Sequence, residues 1–294
     1  MTLRRNPYYW KQAQDGKTLP YLDELEFQII PDDATRLLKL KAGESDGTEF
    51  VPYARVKELQ ADPALRMELW PSTRITYLTM FAGAAYKDGK PNPMANPKVR
   101  QARNYAVNKD AVTGITTLGL GKPMRSFRSA TTPLFVGQDL YKYDPAKARA
   151  LLAEAGFPNG FETSVLALSG NADEANNLAI VQQMWGQIGV KLRIDLVDNA
   201  TRTARYRAED FAMRTSLCTN DISDLSQVTS YAAYYPNIHS LHSQWRDERV
   251  DELFVASQQQ TDPAAFRKRR RASCRFRSAT TCSKGRSSRS RPPA

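Results

Sequence analysis

The sequence predicts an α/β protein built on a largely parallel sheet. Three observations carry that prediction. Residues 161–217 alternate strand, helix, strand, helix, strand. The strand segments are apolar at a period of two, and the segments between them carry one apolar stripe at helical spacing. Such an alternation implies parallel strands joined by right-handed crossovers.

Taken from the start, Leu25, Phe27 and Ile29 alternate with Glu26 and Gln28, the pattern of a half-buried strand. Asp32 or Asp33 can cap a helix to about Ala42, with Leu37 and Leu38 inward and Gly43 as its stop. A short helix is expected over 54–61, then a strand over 67–70 that ends at Pro71. Residues 72–81 are rich in β-branched and aromatic side chains and read as another strand. Asn96-Pro97 sets a capping side chain before a proline at the first helical position. Val99, Ala102, Ala106 and Val107 give that helix its apolar face; Arg103 borders the face and fits it poorly. Asp144-Pro145 repeats the start signal for a helix through Leu151 and Leu152 to Gly156.

The strand–helix series follows: strand 161–168, helix 173–188, strand 190–196, helix 200–209 and strand 211–217. From 247 to 260, Val250, Leu253, Phe254 and Ser257 form one more stripe. After Phe266 no periodicity remains. Ligands of parallel sheets bind beyond the carboxyl ends of strands, so the loop after Leu217 is the place to look for function.

The net charge of +11 invites a nucleic-acid reading. The last 28 residues, Arg267–Ala294, hold nine Arg, two Lys and no acid, so the rest balances 31 bases against 31 acids. The body therefore has no basic excess, and the tail cannot bury enough surface to order itself. Arg at this density would bind nucleic acid or anionic membrane electrostatically. Only Phe276 interleaves, so no stacking platform and no specific nucleic-acid partner are expected.

Of three cysteines, Cys274 and Cys282 lie in the tail and Cys218 stands alone in the body, which excludes an internal disulfide there. No run of about 18 apolar residues predicts a transmembrane helix, and the basic start has no apolar stretch behind it to make a secretory signal. No phosphate loop, dinucleotide fingerprint, His-Glu-x-x-His or Gly-x-Ser-x-Gly motif is present. No cofactor, catalytic residue or metal site is expected. His239 and His242, three apart, could share a helix face, but with Cys218 as their one candidate partner they do not make a zinc site. Tyr231, Tyr234 and Tyr235 could contribute ligand contacts, though such a run is more often core or rim packing.

Five segments in order resemble one family. They are Arg5-Asn6-Pro7-Tyr8-Tyr9-Trp10, Leu25 to Arg36 with Ala42-Gly43-Glu44, Asn96 to Ala102 with Asn104-Tyr105-Ala106 and Lys109-Asp110-Ala111, Tyr143 to Phe161, and Asn220-Asp221-Ile222-Ser223-Asp224. Together they resemble the family 5 solute-binding proteins of ABC importers, the dipeptide, oligopeptide and nickel binders. The resemblance implies a type II periplasmic-binding-protein fold, bilobal and here incomplete. Its expected parts are a remnant of the first lobe over 1–71, a ligand-binding second lobe over 72–266 and a disordered basic tail over 267–294. The abrupt change at 266 reads as translation in a shifted frame. Members of this family work in the periplasm as monomers, bind a small peptide or similar solute, and hand it to an ABC permease.

For the site, the resemblance implies Asp221, with Asn220 and Cys218, as substrate-binding residues. The carboxylate matching Asp221 pairs with the ligand's α-ammonium group; its alternative is a turn or helix cap at Asp221 or Asp224. Ile222 and Leu225 depart from the family's Tyr and Pro. Cys218 stands where the family has a Trp wall. It reads as an inert thiol, since a catalytic one would need His239 or His242 beside it. Arg103 occupies a position where the family has a large apolar residue. An isolated or shortened lobe predicts impaired binding. The alternative function is electrostatic, through the Arg-rich tail.

Overall fold

The computed structural model describes residues 1–70, 72–125, 129, 140–219, 226–259 and 262. Its chain divides into two compact units, Met1–Phe50 and the remainder from Val51. The expected tail over 267–294 lies outside the described residues. No helix among the described residues is long and apolar enough to cross a membrane.

In the first unit, β1 (Thr2–Arg4) and β2 (Glu24–Glu26) form an antiparallel ribbon. The strand expected through Ile29 stops at Glu26, and Leu25, Phe27 and Ile29 are exposed rather than half-buried. Alternation buries a side chain only where a layer packs on the strand, and a two-stranded ribbon offers no such layer. Helix α1 (Asp33–Lys41) begins as expected: the Asp32 carboxylate accepts from the Thr35 N–H at 2.8 Å. Gly43 takes φ +72°, the left-handed turn that stops the helix. Leu37 is buried but Leu38, expected inward, is 67% exposed. Consecutive helical positions do not share a face, and one row of α1 finds cover.

In the second unit, a 3-10 turn (Tyr53–Arg55) leads into α2 (Val56–Gln60). The strand expected over 67–70 does not form, and Leu69 and Trp70 are exposed. An extended segment with no paired neighbour has no ladder. Strand β3 (Ile75–Met80) lies within the expected window. Helix α3 (Pro97–Tyr105) starts where Asn96 accepts from the Lys98 N–H at 2.9 Å, and α4 (Lys109–Thr117) is capped by Asn108. Helix α5 (Pro145–Glu154) is capped by Asp144 and ends ahead of Gly156 at φ +90°. Then come β4 (Glu162–Leu168), α6 (Ala172–Gly186), β5 (Lys191–Val197), α7 (Asn199–Arg207) and β6 (Met213–Cys218), the alternation read from the sequence. Helices α8 (Ser226–Ala233), α9 (Tyr235–His242) and α10 (Glu248–Gln258) follow, the last capped by Asp247.

The sheet order is β3-β6-β4-β5. Strands β5 and β6 run parallel to β4, and β3 runs antiparallel to β6 as an edge. The sheet is therefore parallel in three strands, and Leu168, Val197 and Cys218 end at one edge. Helices α3, α5 and α6 bury Val99, Leu152 and Trp185 against Val165, Val190 and Met213. On the other face, Phe81, Leu166 and Phe211 pack with Tyr206 of α7. A close approach fixes the α6–β5 turn: a Cβ on Gly160 would meet the Gly189 carbonyl oxygen at 1.9 Å.

Arg103 lies inside this core, 1% exposed, rather than beside it. Its guanidinium donates to the Met94 and Met213 sulfurs. Among the described residues no carboxylate pairs with it, and its Nε has no hydrogen-bond partner. The arginine takes the position of an apolar residue because α3 holds it there, with Val99 and Ala102 on the same helix fully buried.

Candidate functional site

The carboxyl edge of the parallel strands is held by one part-buried network. The Glu174 carboxylate accepts from the Leu168 N–H at 2.9 Å and from the Thr215 hydroxyl at 2.6 Å. Arg202 closes the network, its guanidinium 3.2 Å from the other Glu174 oxygen. These four residues come from β4, α6, α7 and β6, so the network ties both crossover helices to the strand ends. Charge-assisted bonds in a half-dry setting make the edge stiff.

Strand β6 leaves this edge at Cys218, which pairs in register with Ile75 of β3. By strand alternation Cys218 shares a face with Ser216 and Arg214. The Ser216 hydroxyl lies 2.7 Å from that of Thr79. The Arg214 guanidinium stacks on the Tyr206 ring, 3.8 Å from its centroid. Burial lowers the Arg214 value and raises that of Tyr206, so both are pushed toward neutrality in the same pocket of protein. Cys218 is a half-buried thiol outside any disulfide. Asn220 and Asp221, the other two expected substrate-binding residues, lie outside the described residues.

The histidines do not lie on a regular helix face as the spacing predicts. Segment α9 leaves helical geometry at Ile238, and residues His239, Ser240, Leu241 and His242 have φ between +48° and +63°. This left-handed turn directs both imidazoles to Glu209, 2.9 Å from His239 Nδ1 and 3.7 Å from His242 Nδ1. Neither Nδ1 is therefore directed at Cys218 to activate a thiol. Burial pulls His242 below the ordinary imidazole value, outweighing the pull of the Glu209 charge. Glu209 is thirty residues from His239, and no local pattern in the sequence announces the pairing. The edge network was missed for the same reason.

The sequence matches the bacterial extracellular solute-binding proteins, family 5, middle region, over residues 1–239. It is 34% identical over 201 residues to the glutathione-binding protein GsiB of Pectobacterium atrosepticum, covering 68% of this chain and 37% of that protein. The fold superposes on the periplasmic binding protein DppA of Helicobacter pylori, solved with the peptide STSA, with a TM-score of 0.83 at 22% identity. That match covers 94% of this chain and 52% of DppA. It also superposes on AgaA of A. tumefaciens R10, solved with agropinic acid, with a TM-score of 0.79 at 26% identity, covering 96% of this chain and 55% of that one. The chain thus spans about half the length of these structures or less of the curated relative. On sequence and fold together, it belongs to the family 5 bacterial extracellular solute-binding proteins.

Proposed function

We propose that this chain carries a ligand-binding lobe of an ABC importer's substrate-binding component, with a small peptide as the solute. The observation that carries the reading is the end of β6. This strand runs parallel to β4 and finishes at Cys218, three residues ahead of Asp221 in the sequence. Ligands of such sheets gather beyond the carboxyl ends of strands. A carboxylate there makes a charge-assisted bond to a peptide's free α-ammonium group, stronger than a neutral one. Asn220, next to Asp221 in the sequence, would add an amide. GsiB is by its name a glutathione-binding protein, and glutathione, a small peptide with a free ammonium, is a first candidate here.

The chemistry is binding and hand-over to a permease in the periplasm, without a reaction step. The binding is impaired in the isolated chain, which spans about half of its structural neighbours and so offers fewer contacts to a solute than they do. Cys218 adds to the impairment, because a thiol gives no flat surface against a ligand side chain.

The test is a titration of the full chain, followed by NMR, with glutathione, a dipeptide and the N-acetylated dipeptide. Saturable shifts in the millimolar range with the free amines, and markedly weaker binding after acetylation, are expected. Equal binding of the acetylated form would remove the ammonium contact from the account. Micromolar affinity by calorimetry would overturn the claim of impairment.

A further inference from the structure

The chain contains two histidines in all. Both meet one carboxylate in the second unit, that of Glu209. The ligating atoms of Glu209, His239 and His242 all lie within 4.8 Å of one another. We propose that these three residues form a binding site for a borderline divalent transition-metal ion, of the zinc, nickel or copper class.

The donor set fits that class. Two imidazole nitrogens and one carboxylate oxygen suit these cations, whereas calcium and magnesium take all-oxygen shells. Three protein ligands also leave coordination positions open to water or a small ligand. The carboxylate adds one negative charge beside two neutral rings, the His₂Glu donor set of many catalytic zinc sites.

Each ligand side chain is itself held. The Glu209 oxygen that faces away from the histidines accepts from Gln244 Nε2 at 2.6 Å. The Gln244 amide is fixed in turn by the Tyr235 hydroxyl at 2.7 Å. The His239 ring stacks on Tyr235 with centroids 5.1 Å apart. The His242 ring meets Tyr206 edge-on at 4.6 Å. Supporting contacts of this kind orient metal ligands and set their affinity.

The backbone is committed to the same arrangement. Glu209 has φ +57°, and the four residues His239 to His242 are left-handed without a glycine among them. Such a run costs roughly 1–2 kcal/mol per residue. It is held by packing: Ser240 is fully buried, and the Ser243 hydroxyl donates to the Ser240 carbonyl at 2.7 Å. Strain of this sort gathers at ligand clamps. A hydrogen bond between Glu209 and one histidine needs only one imidazole. The second imidazole, aimed at the same oxygen, is what a cation explains.

The experiment uses the full chain, stripped with chelator and titrated with Co²⁺ alone, then with Zn²⁺ in competition. A parallel chain carrying Cys218→Ser, Cys274→Ser and Cys282→Ser removes thiol ligands. One equivalent of metal should bind both chains, with the absorption of a nitrogen and oxygen site in each. His239→Ala and His242→Ala should each weaken binding by roughly tenfold or more. Because no other histidine exists, the imidazole signals of the wild-type chain report on the site directly. Both should shift on adding Zn²⁺, and this holds whether or not the variants fold. Unmoved imidazole signals, or binding that disappears with the cysteines, would overturn the proposal.

Discussion

The Arg103 guanidinium sits over the Trp185 indole, 3.7 Å from the ring centroid, and the Trp185 N–H donates to the Arg103 carbonyl oxygen at 3.1 Å. The two residues thus grip each other twice, through side chain and backbone, in a largely apolar core. The stack and two sulfur contacts are the arginine's compensation for leaving water. They fall short of a carboxylate partner, and a buried ion without one is costly.

Arg103→Met should therefore stabilise the protein. The replacement keeps an unbranched stem against Trp185, and a gain of roughly 1–4 kcal/mol at neutral pH is expected. Urea unfolding of the two chains measures it. Burial pulls the Arg103 guanidinium down to about 9. The folded value lies below the unfolded one, so the charged form is the one folding penalises. That penalty is complete at neutral pH and fades as the pH rises through about 9. The stability gap between variant and parent should narrow accordingly in alkali. A constant gap would place its origin in packing instead.

Glu174→Ala should be among the most damaging single changes at the sheet edge. It removes the carboxylate that Arg202, the Thr215 hydroxyl and the Leu168 N–H share, from a pair whose side chains are 15% and 12% exposed. A loss of roughly 3 kcal/mol is expected. Unfolding of the double variant Glu174→Ala with Arg202→Ala should show strong coupling, since removing both charges leaves less unpaired than removing one.

Two glycine substitutions should act in opposite directions. Gly160→Ala places a Cβ 1.9 Å from the Gly189 carbonyl oxygen at φ +77°, with only backbone able to give way. The cost should exceed about 2 kcal/mol. Gly114→Ala lies inside α4 with nothing within 4 Å of the new Cβ. It should stabilise by about 0.5–1 kcal/mol, the helical preference for alanine. Thermal unfolding of the two variants in parallel checks both signs.

What could be read from sequence was local. Asn96-Pro97, Asp144-Pro145 and Gly156 mark helix ends through contacts within four residues, and all three ends stand where expected. The strand–helix series from 162 to 218 was legible because period and length agree. Burial was less so: Leu25, Phe27, Ile29 and Leu38 have the right pattern, yet a pattern does not supply the surface that covers it. Arg103 violated its helix face in sequence and is still inside, because Trp185, eighty-two residues away, makes room. The Glu209 and histidine cluster depends on a left-handed turn that no residue type there announces.

In the proposed binding mode the Asp221 carboxylate grips a peptide ammonium. A double-mutant cycle tests it most directly: the chain and its Asp221→Asn variant, each titrated with a dipeptide and its N-acetyl form. A coupling of roughly 1.5–3 kcal/mol between Asp221 and the amine is expected. Binding that responds to acetylation equally in both chains, with no coupling, would contradict it.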